Sequence, residues 1–146
     1  MNQATSAGGI FVQKRKDKFY LLLLKYPDFL AKQFKSGGLG FLKGHVEPGE
    51  TVEQTAIREM KEEAGLENVK IVKKIGSLTR EATEDNGERV LKTIHMFLMT
   101  TDNFDHKPSE EEYDWFEYYE AINNMAFKEE AEFLKQHKNT LTDVLA

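Results

Sequence analysis

The run from Gly44 to Leu66 constrains this chain more than any other stretch. Thr51 followed by Gln54 is a capping-box pattern that starts a helix. Gly65 is the residue type expected just past a helix end, with Leu66 placed to close the C-terminal contact. The spacing predicts a helix from about Val52 to Ala64. Along it Val52, Ala56, Met60 and Ala64 recur every four residues and make a narrow apolar stripe, while Glu59, Glu62 and Glu63 fall at i, i+3 and i+4 on another face. At roughly 100° per residue the three carboxylates span an arc of about 100°, so their oxygens can converge on one point. Like charges at this spacing destabilise an isolated helix, so a compensating cation is expected. The all-oxygen, charge-dense set suits Mg²⁺ or Mn²⁺, and the absence of cysteine argues against a thiolate zinc site.

Mg²⁺ usually binds through carboxylates together with substrate phosphates, which points to a phosphate-bearing substrate. Arg58 lies four residues before Glu62 and comes near Glu50 if the preceding loop folds back, so it can pair with a carboxylate and hold its orientation. The loop from Lys43 to Gly49 carries two glycines and a proline, which permits a tight path and can turn a carbonyl towards a metal.

With 146 residues, 1–146 is expected to be a single domain that buries its own core without disulfides. Twenty basic against twenty-five acidic residues give a net charge of −5, which offers no bulk attraction to nucleic acid or an anionic membrane, so a polyphosphate must be neutralised locally. The first residues lack a basic segment followed by an apolar stretch, and no apolar run approaches membrane-spanning length. Together with the lack of cysteine, this makes a soluble cytoplasmic monomer the expectation.

Gly8–Val12 and Phe19–Leu24 read as β-prone runs around the charged turn 14–17, a hairpin pattern. Val69–Leu78 and Val90–Met99 read as strands, separated by a polar segment ending in the turn signal Asp85-Asn86-Gly87. Tyr113–Tyr119 is read as a further strand, and Phe127, Ala131, Leu134, Leu141 and Leu145 mark one face of a C-terminal helix. Trp115, Phe116, Tyr118, Phe127 and Phe133 are read first as core. A mixed sheet between helices is expected.

Gly44-His45-Val46-Glu47-Pro48-Gly49-Glu50 and, eight residues on, Arg58-Glu59-Met60-Lys61-Glu62-Glu63-Ala64-Gly65-Leu66 resemble the Nudix hydrolase signature position for position. The resemblance implies an α/β/α sandwich and hydrolysis of a nucleoside diphosphate joined to a further group, with divalent cations activating water and shielding phosphate oxygens. It implies Glu59, Glu62 and Glu63 as metal ligands helped by the Lys43 carbonyl, or one of Glu59 and Glu62 polarising the water instead. Arg58 would orient the carboxylates, and Gly44, Glu50 and Gly65 would shape the motif. Some family members recruit a carboxylate outside the signature. Glu110 and Glu111 are the candidates here, with Glu111 placed among the metal ligands, although 109–112 also reads as a surface charge run.

The stretch from Lys43 to Glu50 is similar to that of the diadenosine tetraphosphate hydrolase branch, and so are Trp115, Glu120-Ala121 and the segment from Ala126 onward. This implies that Lys43 and Lys92 face the polyphosphate, while Lys92 reads equally well as a solvent-facing residue of an edge strand. His45 would contact phosphate or cap the loop. Two positions depart from the branch. Leu42 stands where a proline is usual, and Ala82-Thr83 stands where a tyrosine commonly stacks on adenine, so another aromatic such as Phe127 would hold the base. An RNA 5′-pyrophosphohydrolase, a nucleoside triphosphate pyrophosphatase and a sugar-nucleotide hydrolase stay open as alternatives. A nucleotide-binding sensor without turnover is a further one, which the intact carboxylate set disfavours.

Overall fold

A computed structural model describes residues 1–31, 34, 37–102 and 112–143. Strand β1 (Asn2–Ile10) leaves the first sheet at Phe11 and continues as β2 (Val12–Arg15), which forms a hairpin with β3 (Lys18–Lys25). A single helical turn α1 (Asp28–Ala31) and the short β4 (Leu39–Gly40) lead to β5 (Leu42–His45) and the long helix α2 (Val52–Ala64). The hairpin of β6 (Lys70–Thr83) and β7 (Arg89–Thr100) follows, then β8 (Tyr113–Glu117) and three helices, α3 (Tyr118–Asn124), α4 (Lys128–Gln136) and α5 (Lys138–Asp143).

The first sheet has the order β5-β1-β7-β6. The β1–β7 pair is parallel and the other two are antiparallel, so the sheet is mixed. In the second sheet Leu21 of β3 pairs with both Val12 and Phe116, and Leu24 with both Gly40 and Tyr113. Hence β2 and β4 share one edge of β3 and β8 takes the other. Side chains alternate between the faces of a strand, and here both faces are covered. Ile94, Met96 and Leu98 of β7 pack with Tyr118, Ala121, Phe133, Leu134 and Leu141 of the C-terminal helices. Phe97 and Met99 pack with Ala56, Met60 and Ala64 of α2. The layers are helix, sheets and helices, an α/β/α sandwich with a mixed sheet.

Helix α2 has the ends its sequence calls for. Thr51 Oγ1 accepts from Gln54 N at 3.1 Å, and Thr51 N donates to Gln54 Oε1 at 2.9 Å. Gly65 turns left-handed with φ 64° and its N–H donates to Met60 O, a conformation that costs glycine little and other residues more. Among the described residues no helix is long and apolar enough to cross a membrane.

Several elements differ from the sequence reading. Gly8–Ile10 belong to the first sheet rather than to the hairpin, because the chain changes sheets at the fully buried Phe11. Lys43 and His45, read as loop, lie on strand β5. Strand β8 ends at Glu117, whose carboxylate caps α3 by accepting from Tyr119 N and Glu120 N. The single C-terminal helix is two, α4 and α5, with the break at His137. Leu145, Glu110 and Glu111 lie outside the described residues. Tyr118 and Phe133 are core as expected, and Trp115 and Phe116 pack partly buried against the two clusters.

Candidate active site

Arg58 is the centre of the signature segment. Its Nε lies 2.7 Å from Glu50 Oε2 and its Nη2 2.9 Å from Glu50 Oε1, a two-pronged contact that folds the loop back onto α2. Nη2 also donates to the His45 carbonyl at 2.9 Å, and Nη1 donates to Glu59 Oε1 at 2.8 Å and Glu62 Oε2 at 3.1 Å. Glu50 further accepts from Thr55 Oγ1 at 2.6 Å and Glu47 N at 3.1 Å. The Arg58 hydrogen bond, followed by that of Thr55, pulls the Glu50 carboxyl down to about 2. The same bond with Glu50 holds the guanidinium above its ordinary range. Arg58 therefore acts as a brace between β5, the loop and the acidic face of α2.

Gly44 has a steric task. A Cβ there would sit 2.0 Å from Glu59 Cδ, so any larger residue displaces the Glu59 carboxylate. Glu59 is consequently only 6% exposed. Glu63 is half-buried, and Glu62 has 59% of its side chain exposed. Among the described residues no three His, Asp or Glu side chains are converged to hold a metal ion. Arg58 instead bridges Glu59 and Glu62, which relieves the repulsion that their spacing creates. The donor set still fits a hard divalent cation, since it is all oxygen and stands on one helix face beside the Gly44 strand.

Strand β5 is an edge of its sheet, and alternation sends Gly44 towards α2 while Lys43 and His45 point to the opposite face. Register puts Arg80 opposite Lys92 on that same face. Lys43 is pushed down to about 8 by burial first, with Arg80 and Lys92 lowering it further and Glu130 and Glu59 opposing them. Lys92 is shifted down by burial too, with Glu84 the largest opposing influence. The reading of Lys92 as an edge-strand residue is corrected here, because β7 is interior and Lys92 is half-buried. The His45 side chain meets Glu84, with Nε2 3.1 Å from Oε2.

Two buried charges escaped the sequence reading. Arg80 is 5% exposed and Glu130 fully buried, with Arg80 Nε 2.9 Å from Glu130 Oε2. Glu130 Oε1 also accepts from Phe41 N at 3.1 Å, which ties α4 to the strand entering β5. The Arg80 guanidinium stacks on one face of the Phe127 ring at 3.6 Å, and Phe34 and Tyr26 meet that ring edgewise at 5.2 and 6.3 Å. The signal for Glu130 was a carboxylate set among Phe127, Ala131 and Leu134 on an otherwise apolar helix face.

A family model for the NUDIX domain matches residues 3–137. The chain belongs to the NUDIX family. Its fold is similar to that of the Ap4A hydrolase of C. elegans in a binary-complex crystal structure, with a TM-score of 0.70 and 28% identity over 96% of this chain and 98% of that one. Among curated relatives it is 35% identical over 105 residues to the oxidized purine nucleoside triphosphate hydrolase of Danio rerio, covering 66% of this chain and 64% of that protein. It is 47% identical over 57 residues to the putative mutator protein MutT4 of Mycobacterium tuberculosis, covering 39% of this chain and 22% of that protein. The chain thus spans less than two thirds of either curated relative.

Proposed function

We propose that this NUDIX protein is a divalent-metal-dependent hydrolase that splits dinucleoside polyphosphates asymmetrically, converting diadenosine tetraphosphate and water into ATP and AMP. The observation that carries this reading is the full-length likeness to the C. elegans Ap4A hydrolase. The cationic face of Lys43, Lys92 and Arg80, on the other side of the edge strand β5 from the acidic helix, agrees with it, because a long polyphosphate can cross that edge from one to the other.

Glu59, Glu62 and Glu63, with the Lys43 carbonyl, would hold Mg²⁺, with Mn²⁺ as a substitute. When bound, the cations supply charge neutralisation and a water of lowered pKa. The chain's own residues do the remainder. Arg58 fixes Glu59 and Glu62 relative to β5, and either carboxylate can take the proton of the attacking water. Lys43, Lys92 and His45 bind the phosphates that do not react. The water oxygen forms a new bond to phosphorus, a bridging P–O bond breaks, and the released phosphate carries the electron pair. Phe127 is the aromatic proposed to hold a base. The setting proposed is cytoplasmic, with the chain acting as a single-domain monomer.

A second reading, a nucleoside triphosphate pyrophosphatase, is favoured by the Danio rerio relative. Initial rates with Mg²⁺ on diadenosine tetraphosphate, nucleoside triphosphates, ADP-ribose and 5′-triphosphorylated RNA distinguish them. A nucleoside triphosphate or RNA end as the best substrate rejects the first reading.

A further inference from the structure

Glu84 closes the hairpin between β6 and β7, its N–H donating to Glu88 O at 2.8 Å and its carbonyl accepting from Gly87 N at 2.9 Å. Its carboxylate reaches away from that hairpin. Oε2 lies 3.1 Å from Nε2 of His45, which stands on β5 at the opposite edge of the sheet. Strands β1 and β7 lie between the two edges. Three strand steps amount to about 14 Å of sheet at roughly 4.8 Å per step. Two side chains in contact reach less than that, so the end of the β6–β7 hairpin must bend over the face to bring Glu84 to His45, as a strap across the two interior strands.

Register shows what lies beneath it. Ser6 is opposite His45, Gly8 opposite Lys43, Ala4 opposite Lys92, and Lys92 opposite Arg80. Period-two alternation puts all of these on one face. Small residues make the floor, cations line the trough, and one carboxylate crosses it. Of the other carboxylates acting on Lys92, Glu130 is already engaged by Arg80 and the Phe41 amide, and Asp85 follows Glu84 in the same hairpin turn.

Glu84 is incompletely satisfied. Its Oε1 is buried and has no hydrogen-bond partner among the described residues. Leaving a buried anionic oxygen without a donor is unfavourable. Its other oxygen is on His45, and Lys92 lies within its field. This is where a substrate's anionic oxygen would find the same imidazole and the same ammonium. An entering phosphate and the Glu84 carboxylate repel each other and compete for His45 and Lys92.

We propose that the Glu84 carboxylate is an internal stand-in for a substrate phosphate, seated on His45 beside Lys92 and displaced when a polyphosphate chain enters the trough. The inference rests on the polyphosphate reading given above. Displacement lowers the affinity of every polyphosphate, product ATP included, and so favours product release.

The test is calorimetric titration of inorganic tripolyphosphate, without divalent cation, into the wild-type protein, Glu84→Gln and Glu84→Ala, with circular dichroism to verify folding. Losing one partly exposed polar contact is expected to tighten binding about two- to fivefold in both variants. In a His45→Ala background the Glu84→Gln gain is expected to shrink, since the His45 contact is already gone and only the repulsion and the competition for Lys92 remain. Unchanged or weaker binding by folded Glu84 variants, with wild-type binding intact, overturns the strap alone. Failure of wild type and variants alike to bind tripolyphosphate, with no turnover of any nucleotide polyphosphate, overturns the functional reading and the strap with it.

Discussion

Replacing Gly44 by alanine tests the central geometric feature of the site. The added Cβ would lie 2.0 Å from Glu59 Cδ, 2.1 Å from Oε1 and 2.3 Å from Oε2, whereas ordinary contact begins at 3.4 Å. Glu59 must retreat by about 1.4 Å, or β5 must move by as much. Neither is free to do so. Glu59 is 6% exposed and held at 2.8 Å by Arg58, which also grips Glu50 and the His45 carbonyl. Overpacking costs about 1–3 kcal/mol. Each kcal/mol lowers the melting temperature by about 2–4 °C at this size. A carboxylate displaced by about 1 Å costs roughly 100-fold in rate. Gly44→Ala is therefore expected to lose at least about two orders of magnitude in kcat/KM on diadenosine tetraphosphate, with a melting point several degrees lower. Initial rates with Mg²⁺ and a thermal melt by circular dichroism check both. A variant within about threefold of wild type with an unchanged melt would refute the claim that this strand is pressed against Glu59.

Glu62→Gln is expected to lower turnover by several orders of magnitude while stability stays within about 0.5 kcal/mol, because the side chain is 59% exposed. Equal activity with unchanged circular dichroism would remove Glu62 from the chemistry. Glu130→Gln leaves the buried Arg80 without its charged partner, and urea unfolding is expected to show a loss of about 3–5 kcal/mol. A loss below about 1 kcal/mol would mean that Arg80 finds another partner. For Glu50 the folded carboxyl, at about 2, lies below its ordinary 4.5, so between those values the unfolded chain binds more protons. Its stabilising contribution is full above about 4.5 and is lost as pH falls through about 2. The stability gap between wild type and Glu50→Gln is expected to shrink across that window, and a gap constant with pH would contradict the assignment.

Helix α2 was legible to the residue because its information is local. Thr51, Gln54 and Gly65 set its ends, and its apolar stripe has the helical period. The strands of the β6–β7 hairpin were legible for the same reason, although both extend beyond the expected bounds. What the chain does across distance was hidden. The change of sheet at Phe11 depends on which strands β1 meets, and β1 pairs with partners 33 to 88 residues further along the chain. Helix α3 follows β8 without a break because Glu117 caps it, a role that its place at the end of an aromatic run concealed. Within the site, Arg58, Glu50 and Gly44 could be read together because the signature spaces them closely. Arg80 with Glu130 and His45 with Glu84 are pairs separated by 50 and 39 positions, joined only by packing. Each looks like an ordinary surface residue until the sheet is assembled.

The most direct measurement is product analysis of diadenosine tetraphosphate incubated with the protein and Mg²⁺, with a parallel reaction in excess chelator. Equimolar ATP and AMP, formed faster than products from any nucleoside triphosphate and lost on chelation, is the expected result. Two molecules of ADP, or turnover that survives chelation, would contradict the asymmetric, metal-dependent hydrolysis proposed for this site.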